Sequence, residues 1–328
     1  MRKPGRLLVG FALLALLGAC ANPGRPDLAT APPARPQPVG VQDPAKIPSG
    51  TGASGPSCDP RASLRPPATL PDPGQMPAGS PMQKIYQNGR LRVGVDQNTY
   101  LFGYRNPSTG QIEGFDIDVA REVARAIFGD PDKIQLVSVT SAQRIPFVNG
   151  ADGNPAQVDL VADTMTMNCA RWQQVNFSSV YYEAGQRVLV SIDSKVTGID
   201  DLGGKKVCAA DGSTSIQNIA AAKSHPIPVS VADWTDCIVL LQQGQVDAMS
   251  TDDTILLGMA AQDPNLRLVG ARFTEEPYGL AMAKNAPDLA RFVNGVLARM
   301  RADGTLAAIN SRWLGAGAPP VPSATYRD

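Results

Sequence analysis

The chain has 328 residues, with 30 Lys plus Arg balanced by 30 Asp plus Glu and a single His. Balanced charge without a basic-aromatic stripe argues against a nucleic-acid binder. One histidine, His225 in a loop-like Ser-His-Pro setting, excludes a His-Glu-x-x-His zinc site and argues against a serine triad. With no Gly-x-x-x-x-Gly-Lys phosphate loop and no Cys-x-x-Cys pair, neither metal nor cofactor is expected.

Arg2, Lys3 and Arg6 precede an apolar run from Leu7 to Leu17. The run is too short to span a bilayer comfortably and has the layout of a secretory signal. It ends in Leu17-Gly18-Ala19-Cys20, which resembles the bacterial lipobox. That box implies cleavage before Cys20 and a diacylglyceryl anchor on its thiol, hence a place outside the cell on the outer face of the cytoplasmic membrane. The alternative is an ordinary signal peptide that contains a cysteine. Residues 20–81 are dominated by Pro, Gly, Ala and Ser, too little apolar surface to offset the entropy of ordering, and read as a tether. Cys58 hints that part of this tether is pinned to the folded body.

Cys58, Cys169, Cys208 and Cys237 remain after Cys20. In an exported chain an even number implies two disulfides, with three possible connectivities. Pairing 208–237 is favoured because a strand and the buried face of a nearby helix carry them. Pairing 58–169 would strap the tether across the body.

The folded stretch begins near residue 82. Leu91-Arg92-Val93-Gly94-Val95 reads as a strand ended by Asp96. Phe102 to Arg105 is followed by a turn at Asn106-Pro107-Ser108-Thr109-Gly110. Asp116 reads as a helix N-cap, with Val119, Ala120, Val123, Ala124 and Ile127 at helical spacing and Gly129 as the stop. Ile134 to Val139 and Val158 to Ala162 read as strands around a short helix through Arg144. The grammar then restarts: strand Lys206 to Ala210, a helix opened by Gly212-Ser213-Thr214-Ser215, strand Ile227 to Val231, a helix capped by Asp233, and strand Val246 to Ser250. Leu289, Phe292, Val293, Val296, Leu297 and Met300 form an apolar helical stripe, a last helix runs to Trp313, and 316–328 reads as a Pro-rich tail. Alternating strands and helices in two similar halves predict an α/β fold of two lobes, each a mostly parallel sheet flanked by helices.

In open α/β sheets ligands sit beyond the carboxyl ends of strands. The residues at such places are Asp96; Thr164, Thr166 and Arg171; Thr214 and Ser215 at a helix start; and Thr251, Asp252 and Asp253. An arginine, a helix N-terminus and a carboxylate together suit a zwitterion: a planar fork or free N–H groups for a carboxylate, an acid for an ammonium.

Four segments then carry a resemblance. Gly114-Phe115-Asp116-Ile117-Asp118, Thr164-Met165-Thr166 through Arg171 with Val175-Asn176-Phe177-Ser178, Asp247-Ala248 with Asp252, and Arg301 to Thr305 with Trp313 occur in order over roughly 83 to 315. They resemble the family 3 extracellular solute-binding proteins that serve polar amino acid uptake, closest in look to actinobacterial, including mycobacterial, glutamate- and glutamine-binding lipoproteins. The resemblance implies a periplasmic-binding-protein fold with lobe one at 82–183 plus 277–315, lobe two at 186–273, two hinge crossovers and no enzymatic activity. Its partners would be a free L-amino acid and the permease of an ABC transporter, or a membrane sensor if the chain reports ligand instead of delivering it. The chain would act as a monomer. Arg171 would pair with the α-carboxylate and Asp252 with the α-ammonium, while Thr164, Thr166, Thr214 and Ser215 donate to the ligand. Arg144, in a segment similar to one in glutamate/aspartate binders, would face the side chain. Many relatives carry an aromatic ring over the ligand where this chain has Thr99, so Tyr100 and Phe102 are the nearby candidates. Counting charge, Arg144 would be a cation without a partner, which favours glutamate or aspartate over asparagine and glutamine, while Asp96 pulls toward the amides. A dehydratase-like enzyme with Asp96 or Asp163 as its acid is the minor alternative.

Overall fold

The computed structural model describes residues 35–47, 58–151 and 153–328; the expected leader and Cys20 lie outside them. The described body belongs to one unit, Pro38–Asp328. It is built on two five-stranded sheets. In lobe one the order is Ile134–Ser138, Leu91–Val95, Leu160–Val161, Ala281–Ala283, Val175–Phe177; in lobe two it is Ile227–Val231, Lys206–Ala210, Ala248–Asp252, Gln186–Ser191, Leu266–Val269.

In each sheet a single strand runs against its neighbours. Ala281–Ala283 is antiparallel to Leu160–Val161 and Val175–Phe177, and Gln186–Ser191 is antiparallel to Ala248–Asp252 and Leu266–Val269. These are the strands the chain enters after passing from one lobe to the other. A chain leaving one sheet at its carboxyl-end edge meets the next sheet at the same edge, so it must run away from the cleft. The two passages pair with each other as Tyr182–Ala184 against Glu276–Tyr278, an antiparallel two-stranded hinge.

Local sequence explains many of the boundaries. Lys206–Ala210 and Ile227–Val231 fall where the β pattern puts them, and Asp233 with Asp236 forms a capping box for Trp234–Gln242. The helix Phe115–Phe128 starts two residues earlier than expected, with Gly114 as N-cap. Gly114 has φ +145, and a Cβ there would lie 2.1 Å from the Phe102 carbonyl oxygen, so only glycine fits. Asp116 is therefore not the cap. Its buried carboxylate takes hydrogen bonds from Thr164 N at 2.8 Å and the Tyr181 hydroxyl at 2.6 Å. The strand expected at 246–250 forms at Ala248–Asp252, because Gln245 and Val246 still donate to Leu240 O at the helix end.

Both Pro-rich ends are more engaged than a tether or a tail. Gln42 pairs with Ser230 on the edge of the lobe-two sheet, and Ala45 N donates to Pro228 O. Cys58 is bonded to Cys169, and Cys208 to Cys237 inside the lobe-two core. Ala62–Ser63 pairs in parallel with Thr325–Tyr326, Leu70 packs on Gly295, and the Arg327 guanidinium stacks 3.9 Å from the Trp172 ring centroid. Chain with few apolar residues can dock on a preformed surface through backbone pairing and a disulfide, contributions that composition does not reveal.

Candidate functional site

The carboxyl ends of both sheets face each other across the hinge, and the sequence-predicted polar residues gather there. In lobe one, Arg171 lies in the single turn Cys169–Trp172, started by Asn168, whose side chain accepts from Arg171 N. The residue is 7% exposed, and its guanidinium donates to Thr166 O at 2.7 Å and, across the cleft, to Gly212 O at 3.2 Å. Burial pulls it down to about 9, with the nearby Arg144 charge adding to the shift and Glu276 and Asp252 opposing it. It remains a cation at neutral pH.

Arg144 opens the helix Arg144–Asn149 and is buried. It donates to Ser141 O and Asp163 O, each at 3.0 Å, and its Nε stands 3.8 Å from Asp163 Oδ2. The expectation that Arg144 lacks a partner therefore does not hold: a buried carboxylate stands beside it. Burial pushes Asp163 well up, and Arg144 opposes that. Asp96 takes Asn98 N at 2.7 Å and Thr99 Oγ1 at 2.6 Å; burial raises it against these bonds. Thr164 adopts φ +38, a left-handed conformation costly for a β-branched residue, and its N–H is held by Asp116.

In lobe two the helix Thr214–Ala221 is capped by Ser213, whose Oγ accepts from Ile216 N. Thr214 Oγ1 donates to Glu276 Oε2 at 2.9 Å and reaches Thr166 Oγ1 at 3.4 Å. Ser215 and Thr251 share a hydrogen bond of 2.9 Å. Asp252 is buried, accepts from the Tyr278 hydroxyl at 2.6 Å through Oδ2, and has no hydrogen-bond partner at Oδ1. Burial raises it well above the carboxylate range, and the Glu276 charge adds to this.

The lobes touch around this cluster. Besides the Arg171 and Thr166 contacts, Asn98 donates to Asp233 at 3.3 Å, and Gly212 lies so close to Ala142 that a Cβ would sit 2.7 Å from its Cα. A pocket of about 610 Å³ opens at the junction, with Arg171, Met165 and Asn168 on one wall and Asp211, Gly212 and Gln217 on the other.

Two of the ligand candidates sit elsewhere. Phe102 is fully buried in the lobe-one core, packed on Phe115, Tyr182 and Tyr278, so its ring is engaged there. Tyr100 is half-buried at the rim, edge-on to Tyr104, with its carbonyl against Gly258 of lobe two. Conversely, sequence reasoning did not single out Glu276 and Tyr278. Both lie on the second hinge strand, and their only signal is position where the expected lobe two, ending at 273, gives way to the second part of lobe one from 277.

The arrangement gathers two buried guanidiniums and several buried carboxylates at a two-lobed cleft, and the ion pair among them, Arg144 with Asp163, lies within lobe one. The fold is similar to that of the L-cysteine solute receptor of Neisseria gonorrhoeae, with TM-score 0.67 and 26% identity over 71% of this chain and 93% of that one. It is also similar to that of an ancestral arginine-binding protein bound to glutamine, with TM-score 0.63 and 31% identity over 69% and 98%. In sequence, the ABC transporter glutamine-binding protein GlnH of Bacillus subtilis is 42% identical over 231 residues, 70% of this chain and 83% of that protein. The glutamate-binding protein GluB of Corynebacterium glutamicum is 30% identical over 272 residues, 79% and 90%. A sequence model of the bacterial extracellular solute-binding proteins, family 3, matches residues 91–316, and the chain belongs to that family.

Proposed function

We propose that the protein captures a free L-amino acid outside the cytoplasmic membrane and hands it to the permease of an ABC transporter. Arg171 holds the α-carboxylate and Asp252 the α-ammonium, with hydroxyl donors from Thr166 and Thr214. The unpaired Oδ1 of buried Asp252 supports the ammonium role, because a buried carboxylate oxygen without a donor is costly. The lobes, 82–183 plus 277–315 and 186–273, close on the ligand by bending at the paired crossover strands. The chain binds and does not catalyse: it pairs its charged groups around the cleft without setting an acid against a bond to be broken. Cys20 carries the lipid, and the monomer is the working form. No helix among the described residues is long and apolar enough to cross a membrane.

For the ligand we favour L-glutamine, ahead of glutamate and aspartate. The observation that carries this is Asp163 beside Arg144. Expecting an acidic ligand required Arg144 to stand without a partner, and the Asp163 carboxyl lies 3.8 Å from it. The names of the 42% and 43% identical relatives, both glutamine-binding proteins, support the same choice. Calorimetric titration of the protein against all twenty amino acids tests it: glutamine should bind tightest, and a preference for glutamate or aspartate would restore the acidic reading.

A further inference from the structure

Arg144 and Asp163, at the carboxyl end of the lobe-one sheet, form a mixed donor and acceptor. Asp163 follows the strand Leu160–Val161 and is 2% exposed. Its main-chain carbonyl accepts from Arg144 at 3.0 Å, whereas its side-chain Oδ2 stays 3.8 Å from Arg144 Nε, beyond hydrogen-bond length. That Oδ2 is one of the few buried side-chain oxygens among the described residues with no hydrogen-bond partner. The ion pair therefore leaves an acceptor unused, right beside a guanidinium. Burial favours the protonated form of this carboxyl, while the Arg144 charge and any N–H donated to Oδ2 favour the ionised one.

A primary carboxamide carries one acceptor oxygen and an NH2 donor on a single planar group. Against Arg144 and Asp163 its oxygen meets the guanidinium and its NH2 meets the free carboxylate oxygen. A carboxylate offers acceptors only, so one of its oxygens would be pressed against Asp163. An ammonium offers donors only and would be pressed against Arg144. We propose that Asp163 is the specificity-determining residue of this cleft, accepting a hydrogen bond from the side-chain amide of the ligand and excluding the acid of the same shape. This rests on the amino-acid-binding reading above and deepens it. A site that hydrogen-bonds a particular group discriminates strongly against an analogue that cannot make the bond.

The test is titration of the wild-type protein, Asp163→Asn and Asp163→Ala with L-glutamine, L-glutamate and L-lysine. The wild type should bind glutamine at least about tenfold tighter than glutamate and hold lysine weakly. In Asp163→Asn the glutamine-to-glutamate ratio should fall by about tenfold or more, chiefly through a gain for glutamate. A ratio unchanged in both variants, or a wild type that prefers glutamate, overturns the assignment while leaving amino-acid binding intact. A wild type that binds none of the twenty amino acids overturns the amino-acid reading itself, and this assignment with it. Should the variants fail to fold, side-chain-labelled 15N-glutamine bound to the wild type gives the answer. Its amide protons should move well downfield, and shifts equal to those of the free amino acid would overturn the contact.

Discussion

The two lobes bring different chemistry to the cleft and hold it in different ways. Lobe one supplies both guanidiniums and holds them mainly with its own groups: Arg171 on Thr166 O, with one further bond to Gly212 O of lobe two, and Arg144 on Ser141 O and Asp163 O. Lobe two supplies Asp252 and a helix start lined with hydroxyls, and much of their positioning comes from the hinge strand, Tyr278 on Asp252 and Glu276 on Thr214. Lobe one thus presents a preformed half-site, while the lobe-two half depends on where the hinge places it. Removing a lobe-one cation should therefore delete binding, and removing a hinge contact should weaken it without changing which ligand is preferred.

The largest effect expected is that of Arg171→Ala. Every amino-acid ligand should be lost from calorimetric titration, because truncating a buried charge partner commonly costs about 2–5 kcal/mol. Retained binding at more than about a tenth of the wild-type affinity would mean that the lobe-two helix start, and not lobe one, carries the carboxylate.

Asp116 probes the scaffold under the lobe-one half-site. Burial pushes it up to about 7 from an ordinary 3.8. Between those values the folded state binds more protons than the unfolded one, so its contribution is fully present below about 4 and is lost as pH rises through about 7. The loss amounts to at most about 4 kcal/mol. Melting temperature measured from pH 4 to pH 8 should fall across this window, and the slope should shrink in Asp116→Asn. Equal slopes would remove Asp116 as the source.

Lobe two has its own staple. Cys208 and Cys237 are both buried and 29 residues apart, and closing a loop of that size stabilises by about 3.5 kcal/mol on the chain-entropy account. Cys208→Ser with Cys237→Ser should lower the unfolding free energy in denaturant by an amount of that order. If lobe one is preformed, hydrogen exchange there should stay as slow as in the wild type.

The smallest effect concerns the hinge. Tyr278→Phe removes the donor to Asp252 Oδ2 and should weaken all ligands by about 1 kcal/mol, five- to tenfold, with their ranking unchanged. A changed ranking would show that the hinge strand reads the ligand side chain and would break the division between the lobes.

Much of this protein is local in origin and therefore legible along the chain. The β pattern of Lys206–Ala210 and Ile227–Val231, the caps at Ser213 and Asp233 and the stripe from Leu289 to Met300 depend on neighbours within a few residues. The placing of Arg171, Thr166, Thr214 and Asp252 at strand ends and helix starts follows from the same periodicity, since an α/β chain turns over at those points. What the tertiary structure alone decided lies between residues far apart in sequence. Whether Arg144 is an unpaired cation depends on Asp163, and whether Asp252 keeps a spare oxygen depends on Tyr278. Phe102 could have capped the cleft or filled the core, and packing on Tyr182 and Tyr278 settles it in the core. Cys58 marked the tether as pinned, and its bond to Cys169 bears that out, but the pairing of Ala62–Ser63 with Thr325–Tyr326, which fastens both Pro-rich ends to the body, left no mark in the sequence. Composition and periodicity report what a segment can bury by itself; they carry no record of the surface that another segment offers it.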